Sequence, residues 1–274
     1  MYIKKPNKCF FILTVMMLSL LFVTGCGGGS SEEPSGDDSL KKVLDSGQLV
    51  IGLDPNFPPM GFTDGTGEVV GFDIDVAREC CERLGIALVS KPIDWDMKDE
   101  LLNGGEIDCI WNGMSITPER QESMELSMPY MKNKLIFLVP QTSEAKNSRD
   151  LKGKKVGVQS SSTASDMLKD FDLYGNITVV ENDSNVELLG KLRNGEVDAI
   201  LIDSVFAYYS IFSRDDSFYV LSDSLGEEKY AIGFRKGDRK LRDRIQELVD
   251  EMRADGTLAG ISKKWFSYDI TIAR

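Results

Sequence analysis

The chain contains no histidine. That excludes catalysis passing a proton through imidazole, as in Ser-His-Asp and Cys-His arrangements, and it removes the commonest zinc ligand. Cysteine is also sparse. Of the five present, Cys9 and Cys26 lie near the N-terminus, and Cys80, Cys81 and Cys109 remain. An odd number cannot close a disulfide framework. Cys80 and Cys81 are neighbours on an expected helix, a poor geometry for a shared metal, and all three read as small buried thiols. No basic patch is visible. The 44 acids outweigh the 32 bases for a net charge of −12, which argues against a nucleic-acid partner. The longest apolar run, residues 9–23, falls short of the roughly 20 residues needed to span a bilayer.

That run has the length of a signal-peptide core, with Lys4, Lys5 and Lys8 as its basic flank. Leu21-Phe22-Val23-Thr24-Gly25-Cys26 resembles a bacterial lipobox. The resemblance implies removal of residues 1–25 and a thioether-linked diacylglycerol, with palmitate, on Cys26. Residues 26–38 are Gly-, Ser- and acid-rich and read as a flexible tether with nothing to bury. Removing the signal takes away three lysines and no acid, so the charge falls from −12 to −15. The expected location is outside the cytoplasmic membrane, lipid-anchored and not membrane-spanning.

From Ser39 onward the pattern alternates between strand and helix, which predicts an α/β fold with mainly parallel sheets. Ser39 to Gly47 reads as a helix capped by Ser39 and stopped by Gly47. Leu49 to Leu53 is a strand ending at Asp54, and Gly71 to Ala77 leads a helix that runs to Leu84-Gly85. Asp238 to Asp255 places Leu241, Ile245, Leu248, Val249 and Met252 at helical spacing, followed by a second helix from Thr257 to Phe266. Two stretches echo each other. Leu102 to Ile110 resembles Leu192 to Ile200, and Val50 to Asp54 resembles Lys155 to Gln159. The echoes suggest two lobes of similar plan. In open α/β sheets ligands bind beyond the carboxyl ends of strands. The ends here are Asp54, the 112–115 corner, the 159–163 corner and Asp203.

The first corner reads Trp111-Asn112-Gly113-Met114-Ser115-Ile116-Thr117-Pro118-Glu119-Arg120. Alternation along the strand sends Trp111 to the core and Asn112 to the other face. Gly113 allows a close approach to the backbone. Thr117 and Pro118 form a helix start. Arg120 in that first turn gains nothing from the helix dipole. It reads equally as a clamp for a carboxylate or as a surface cation paired with Glu119, Glu122 or Glu125. In the second corner, Ser160-Ser161-Ser162-Thr163 presents hydroxyls at a helix start, but no phosphate-loop lysine follows. Asp203 ends an apolar strand. It reads either as a cap for the next turn or as the acceptor of a ligand ammonium. Together these groups outline a receptor for a zwitterion.

Six ordered stretches resemble the bacterial extracellular solute-binding proteins of family 3, the polar amino-acid receptors of ABC importers. They are IGLDPNFPPMGF (51–62), GFDIDVA (71–77), IDCIWNGMSITPERQE (107–122), LKGKKVGVQSSST (151–163), GEVDAILID (195–203) and MRADGTL (252–258). The resemblance implies a type II periplasmic-binding-protein fold, with two α/β lobes joined by two crossover hinge strands. Lobe 1 would comprise 39–134 plus 231–274 and lobe 2 would comprise 135–230. The crossovers would fall near Lys134–Phe137 and Glu228–Ile232. It further implies that Arg120 clamps a ligand α-carboxylate, shared with backbone at Gly113, Ser115 and Thr163. Asp203 would take the α-ammonium, helped by the Gly113 carbonyl and Ser115. Phe57 and Trp95 would flank the ligand, Asp54 would face its side chain, and Asn112, Met114 and Ser162 complete the expected ligand-binding set. Ser161 stands where the family usually has glycine, so the loop backbone is expected to differ there.

The implied function is capture of a polar amino acid by hinge closure and delivery to an ABC permease and its ATPase, by a monomer without cofactor, metal or catalytic residue. An enzyme on the same fold, of the cyclohexadienyl or arogenate dehydratase kind, is the alternative. It would need an acid among Asp54, Asp94, Asp96 and Asp203 poised over substrate. The identity of the amino acid is not legible.

Overall fold

The computed structural model describes residues 36–214 and 217–272. The signal segment 1–25, Cys26 and the tether up to residue 35 lie outside the described residues. Among the described residues no helix is long and apolar enough to cross a membrane.

The first described helix, α1 (Ser39–Ser46), ends at Gly47 in the left-handed conformation, as its sequence suggests. Its start differs. Asp38, not Ser39, holds the cap position, and the Asp37 carboxylate accepts from the Ser39 N–H at 3.0 Å and from its hydroxyl at 2.6 Å. Ser39 is thus the residue being capped.

Strands β1 (Gln48–Leu53), β2 (Asn56–Phe57), β3 (Gly61–Thr63) and β4 (Val69–Val70) precede helix α2 (Phe72–Leu84). Then come β5 (Ala87–Pro92), α3 (Lys98–Gly104), β6 (Cys109–Ser115), α4 (Pro118–Ser123), β7 (Met124–Leu126) and β8 (Met131–Pro140). The second half holds β9 (Lys155–Gln159), α5 (Thr163–Lys169), β10 (Thr178–Asn182), α6 (Asn185–Arg193), β11 (Ala199–Asp203) and α7 (Ser204–Arg214). The chain returns through β12 (Phe218–Arg235) and finishes with α8 (Arg239–Asp255) and α9 (Thr257–Phe266).

All but the small β2–β3–β4 sheet join one mixed sheet of nine strands, in the order β10-β9-β11-β8-β12-β6-β1-β5, with β7 also on β12. The expectation of mainly parallel sheets holds only at the flanks. There β5, β1 and β6 run parallel, as do β10, β9 and β11. The centre is antiparallel, because β8 and β12 carry the chain out and back between the halves. Local strand pattern carries no sign of direction, so this reversal could not be read from it. This is the type II periplasmic-binding-protein fold, two α/β lobes joined by crossover strands.

The sheet is buried on both faces, which explains its nearly continuous apolar strands. In β11, Ile200 and Ile202 face the largest core cluster while Ala199 and Leu201 face a second. In β6, Cys109 and Trp111 join the first cluster, and Ile110 and Met114 join a third. Cys80, Cys81 and Cys109 are unbonded and buried, and burial pushes their thiols up. The terminal helices return to the first half. Helix α8 buries the five apolar residues expected of it, and Arg242 pairs with Glu125 at 3.0 Å just before β7 turns.

Candidate functional site

Four strand ends meet around one cavity. Asp54 follows β1, Asn112 to Ser115 close β6, Gln159 closes β9 and Asp203 closes β11. Each end is polar because the strand has left the core there, with its last side chain facing the gap between the halves.

Arg120 is positioned by the helix start beneath it. The Thr117 hydroxyl accepts from the Arg120 N–H at 3.2 Å, with Pro118 at the first helical position. The guanidinium donates from Nη1 to the Ser115 carbonyl at 2.8 Å and to the Thr163 hydroxyl across the cavity at 3.4 Å. Among the described residues it has no carboxylate within ion-pair distance. The surface-pair reading is therefore wrong. Glu125, the nearest competitor in that reading, is held by Arg239 and Arg242. Burial lowers the Arg120 pKa, an effect opposed by several acids at longer range.

Two acids gather at the hinge side. The Asn133 amide donates to Asp203 Oδ1 at 2.6 Å and to Glu228 Oε2 at 2.8 Å. The Tyr230 hydroxyl also donates to Asp203. Burial, then the nearby Glu228 charge, raises the Asp203 pKa. Burial raises Glu228 as well, against the pull of Ser115, Asn133 and Arg120. Glu228 Oε1 is buried without a hydrogen-bond partner.

The opposite end is built on Asp54. Its carboxylate accepts from the Asn56 N–H and from the Gln159 amide, both at 2.8 Å. Gln159 accepts in turn from Asn185 at 2.7 Å, which fixes the sense of its amide. Asn112 supports the same corner, its side-chain oxygen accepting from the Asp54 N–H at 3.0 Å. Burial raises Asp54. Phe57 walls the cavity and stacks on Phe206 with centroids 6.1 Å apart. Trp95 lines it too, with the Lys98 ammonium 5.2 Å from its ring.

The predicted residues thus converge, with one exception. Asp54, Phe57, Trp95, Asn112, Gly113, Ser115, Arg120, Ser162, Thr163 and Asp203 all line the cavity. Met114 does not. Its side chain is buried in the third core cluster, in space left by Gly233, where an added Cβ would meet the Met114 methyl at 2.5 Å. Two roles also need correction. The Gly113 N–H was expected to serve a ligand carboxylate, but it donates to Asp73 Oδ2 at 2.7 Å. The Ser162 hydroxyl is spent on capping α5, accepting from the Ser165 N–H and donating to the Gln159 carbonyl. Ser161 adopts the left-handed conformation, φ +51°, that glycine takes freely, so the loop keeps a glycine-like path despite its serine.

Sequence reasoning missed Gln159 and Glu228 as site residues, together with Leu135 and Ala164, which also line the cavity. Gln159 had a signal: it stands at a strand end in the same echo as Asp54. Glu228 had none, since it lies within a strand rather than at its end.

A fold of two lobes with a polar cavity between them, lined by several carboxyls and by one guanidinium that has no ion pair among the described residues, defines a solute receptor. Residues 49–268 match the profile of the bacterial extracellular solute-binding proteins, family 3, and the chain belongs to that family. It is 30% identical over 257 residues to the L-cystine-binding protein TcyJ of Escherichia coli K12, covering 93% of this chain and 96% of that one. A solved structure of an ABC uptake transporter substrate-binding protein from Streptococcus pneumoniae with bound histidine is 35% identical, with a TM-score of 0.83 over 87% of this chain and 100% of that one. An ancestral amino-acid-binding protein, AncCDT-1, a precursor of cyclohexadienyl dehydratase, is 30% identical with a TM-score of 0.77, over 83% and 99% of the two chains.

Proposed function

We propose that this chain is an extracytoplasmic receptor that captures an amino acid with a positively charged side chain and hands it to an ABC permease. One observation carries the reading. A guanidinium without an ion pair faces two carboxyls, Asp203 and Glu228, in one cavity, and a third carboxyl, Asp54, stands at the far end. An α-amino acid fills such an arrangement. Its carboxylate meets Arg120 in a bidentate bond, joined by Thr163. Its ammonium meets Asp203. A cationic side chain then lies between Phe57 and Trp95 toward Asp54. Three carboxyls against one guanidinium favour a ligand of net positive charge.

Closure follows from where the contacts lie. Arg120 and Asp54 belong to the segments proposed as lobe 1, 39–134 plus 231–274. Thr163, Gln159 and Asp203 belong to those proposed as lobe 2, 135–230. A ligand touching both favours the conformation that brings them together. Binding rather than catalysis is supported because the relatives bind solutes and the acids are committed to hydrogen bonds that hold them in place. The N-terminal sequence supports lipid anchoring at Cys26, outside the cytoplasmic membrane.

Thermal melting against each of the twenty amino acids tests the reading. A ligand at 100 times its Kd adds about 2.7 kcal/mol to stability. Arginine, lysine or histidine is expected to raise the melting temperature. No shift with any amino acid would sink the receptor reading, and a shift with neutral amino acids alone would sink the cationic preference.

A further inference from the structure

We propose that Glu228 is a second acid of the ammonium site, and that the Asp203–Glu228 pair releases one proton as a cationic amino acid enters. The inference rests on the receptor reading above and adds a residue and a proton to it. The geometry is specific. Asn133 uses the two hydrogens of one amide nitrogen on the two carboxyls, at 2.6 and 2.8 Å. The bonded oxygens are therefore no farther apart than those two bonds laid end to end. The sense of the amide is set by the Val205 N–H, which can only donate and reaches Asn133 Oδ1 at 3.5 Å, beside the Ser204 hydroxyl at 2.9 Å.

No fixed cation neutralises the pair. Arg120, from α4, is the only positive group that faces it, and it stands beyond ion-pair distance among the described residues. Tyr230, on β12, donates to Asp203, and Tyr130 stands behind it; both phenols are raised and stay neutral. Asp54 is at the other end of the cavity. Lys132 and Lys134 of β8 flank Asn133 in sequence, but alternation along the strand leaves them exposed on the other side. Two carboxyls this close, buried, with one shared donor, hold one proton between them. Glu228 Oε1 is left with no donor.

A ligand ammonium brings three N–H donors. It supplies the open Glu228 oxygen and Asp203 together, so both acids ionise. The carboxylic O–H bond breaks, its proton passes to solvent, and the ammonium keeps all of its own. For a ligand of charge +1 the exchange leaves the charge of the buried cavity unchanged.

Calorimetric titration with L-arginine, whose side chain does not titrate near neutrality, tests this in buffers of different ionisation enthalpy. At about pH 6.5 the wild type is expected to release close to one proton per ligand, with Kd falling nearly tenfold per pH unit up to about pH 8. Glu228→Gln removes one of the two acids but leaves Asp203 buried, so it is expected to bind more weakly, release clearly less than one proton and show a shallower profile over the same range. Arginine binding with no buffer dependence in the wild type would overturn the proposal and leave the receptor reading intact. So would undiminished proton release in Glu228→Gln. If L-arginine does not bind, the cationic preference fails instead, and L-glutamine, which presents the same α-ammonium, is used for the proton count. Failure of both to bind would remove the receptor reading itself.

Discussion

The side-chain amide of Gln159 crosses the cavity to the Asp54 carboxylate at 2.8 Å. The two residues are 105 positions apart and end corresponding strands of the two halves. The bond belongs to the closed arrangement of the halves, and it leaves the far wall of the cavity acidic. Gln159→Leu keeps the volume but leaves Asp54 with only the Asn56 N–H and takes the acceptor from the Asn185 amide. Unpaired buried polar groups cost about 1–3 kcal/mol each. Affinity is expected to fall about 10- to 100-fold in calorimetry. An unchanged Kd would mean that the bond plays no part in closure.

Arg120→Ala is expected to weaken amino-acid binding by about 2–5 kcal/mol, the cost of leaving a buried carboxylate without its cation. Arg120→Lys keeps the charge but loses the fork and the bond to Ser115, so it falls between the two. Direct binding assays on both variants check the order. A lysine variant equal to wild type would show that charge alone suffices.

The pH dependence of folding has an unusual sign. Asp73 is fully buried, and burial raises it to about 7 despite bonds from the Tyr130 hydroxyl and the Gly113 N–H. Its folded pKa lies above the unfolded 3.8, so the folded state holds the extra proton between those values. The stabilisation is complete below about pH 4 and is lost as pH rises through about 7, a ceiling of about 4 kcal/mol. Asp54, Asp108, Asp203 and Glu228 are raised too and act in the same direction. The ligand-free protein is expected to unfold at higher urea near pH 5 than near pH 8, and Asp73→Asn to flatten the difference. A midpoint that climbs steadily from pH 5 to 8 would contradict this.

Gly113→Ala puts a methyl group where none fits. The backbone there has φ +59°, and the new Cβ would lie 2.8 Å from the Phe57 ring and 3.2 Å from Tyr230. Overpacking of this kind costs about 1–3 kcal/mol. The larger expectation is functional: Phe57 must move and the Gly113 carbonyl must tilt, so binding falls more than tenfold. A variant that melts lower yet binds normally would place the ligand away from this corner.

What could be read from sequence follows the range of the forces involved. Thr117, Pro118 and Arg120 are legible because a helix start is local chemistry, written in consecutive residues. Asp203 and Asp54 are legible because strands end where polarity begins. Trp111 belongs to the core by simple alternation. Glu228 is not legible, since Glu227 beside it is exposed and ion-paired with Lys134 at 3.1 Å. Only the pairing register of β12 shows which of the two faces inward. Met114 was misplaced because the space it fills depends on Gly233, a residue of β12 far away in sequence. Asp73 is not legible either: it stands in the first turn of α2, and only the fold brings the Gly113 N–H to it.

Strand β12 spans 18 residues, with shifts of pairing register near Ser224 and after Ala231, and it carries Glu228 and Tyr230 in the stretch that ties the two halves together. Recognition and movement are therefore encoded in one piece of chain. A lineage that altered residue 228 or 230 to accept a new solute would also alter the strand on which opening and closing depend. Ligand preference at this end of the cavity and the ease of closure are inherited together, so new preferences are more easily acquired at the other end, around Asp54, Trp95 and Gln159, where the hinge is not touched.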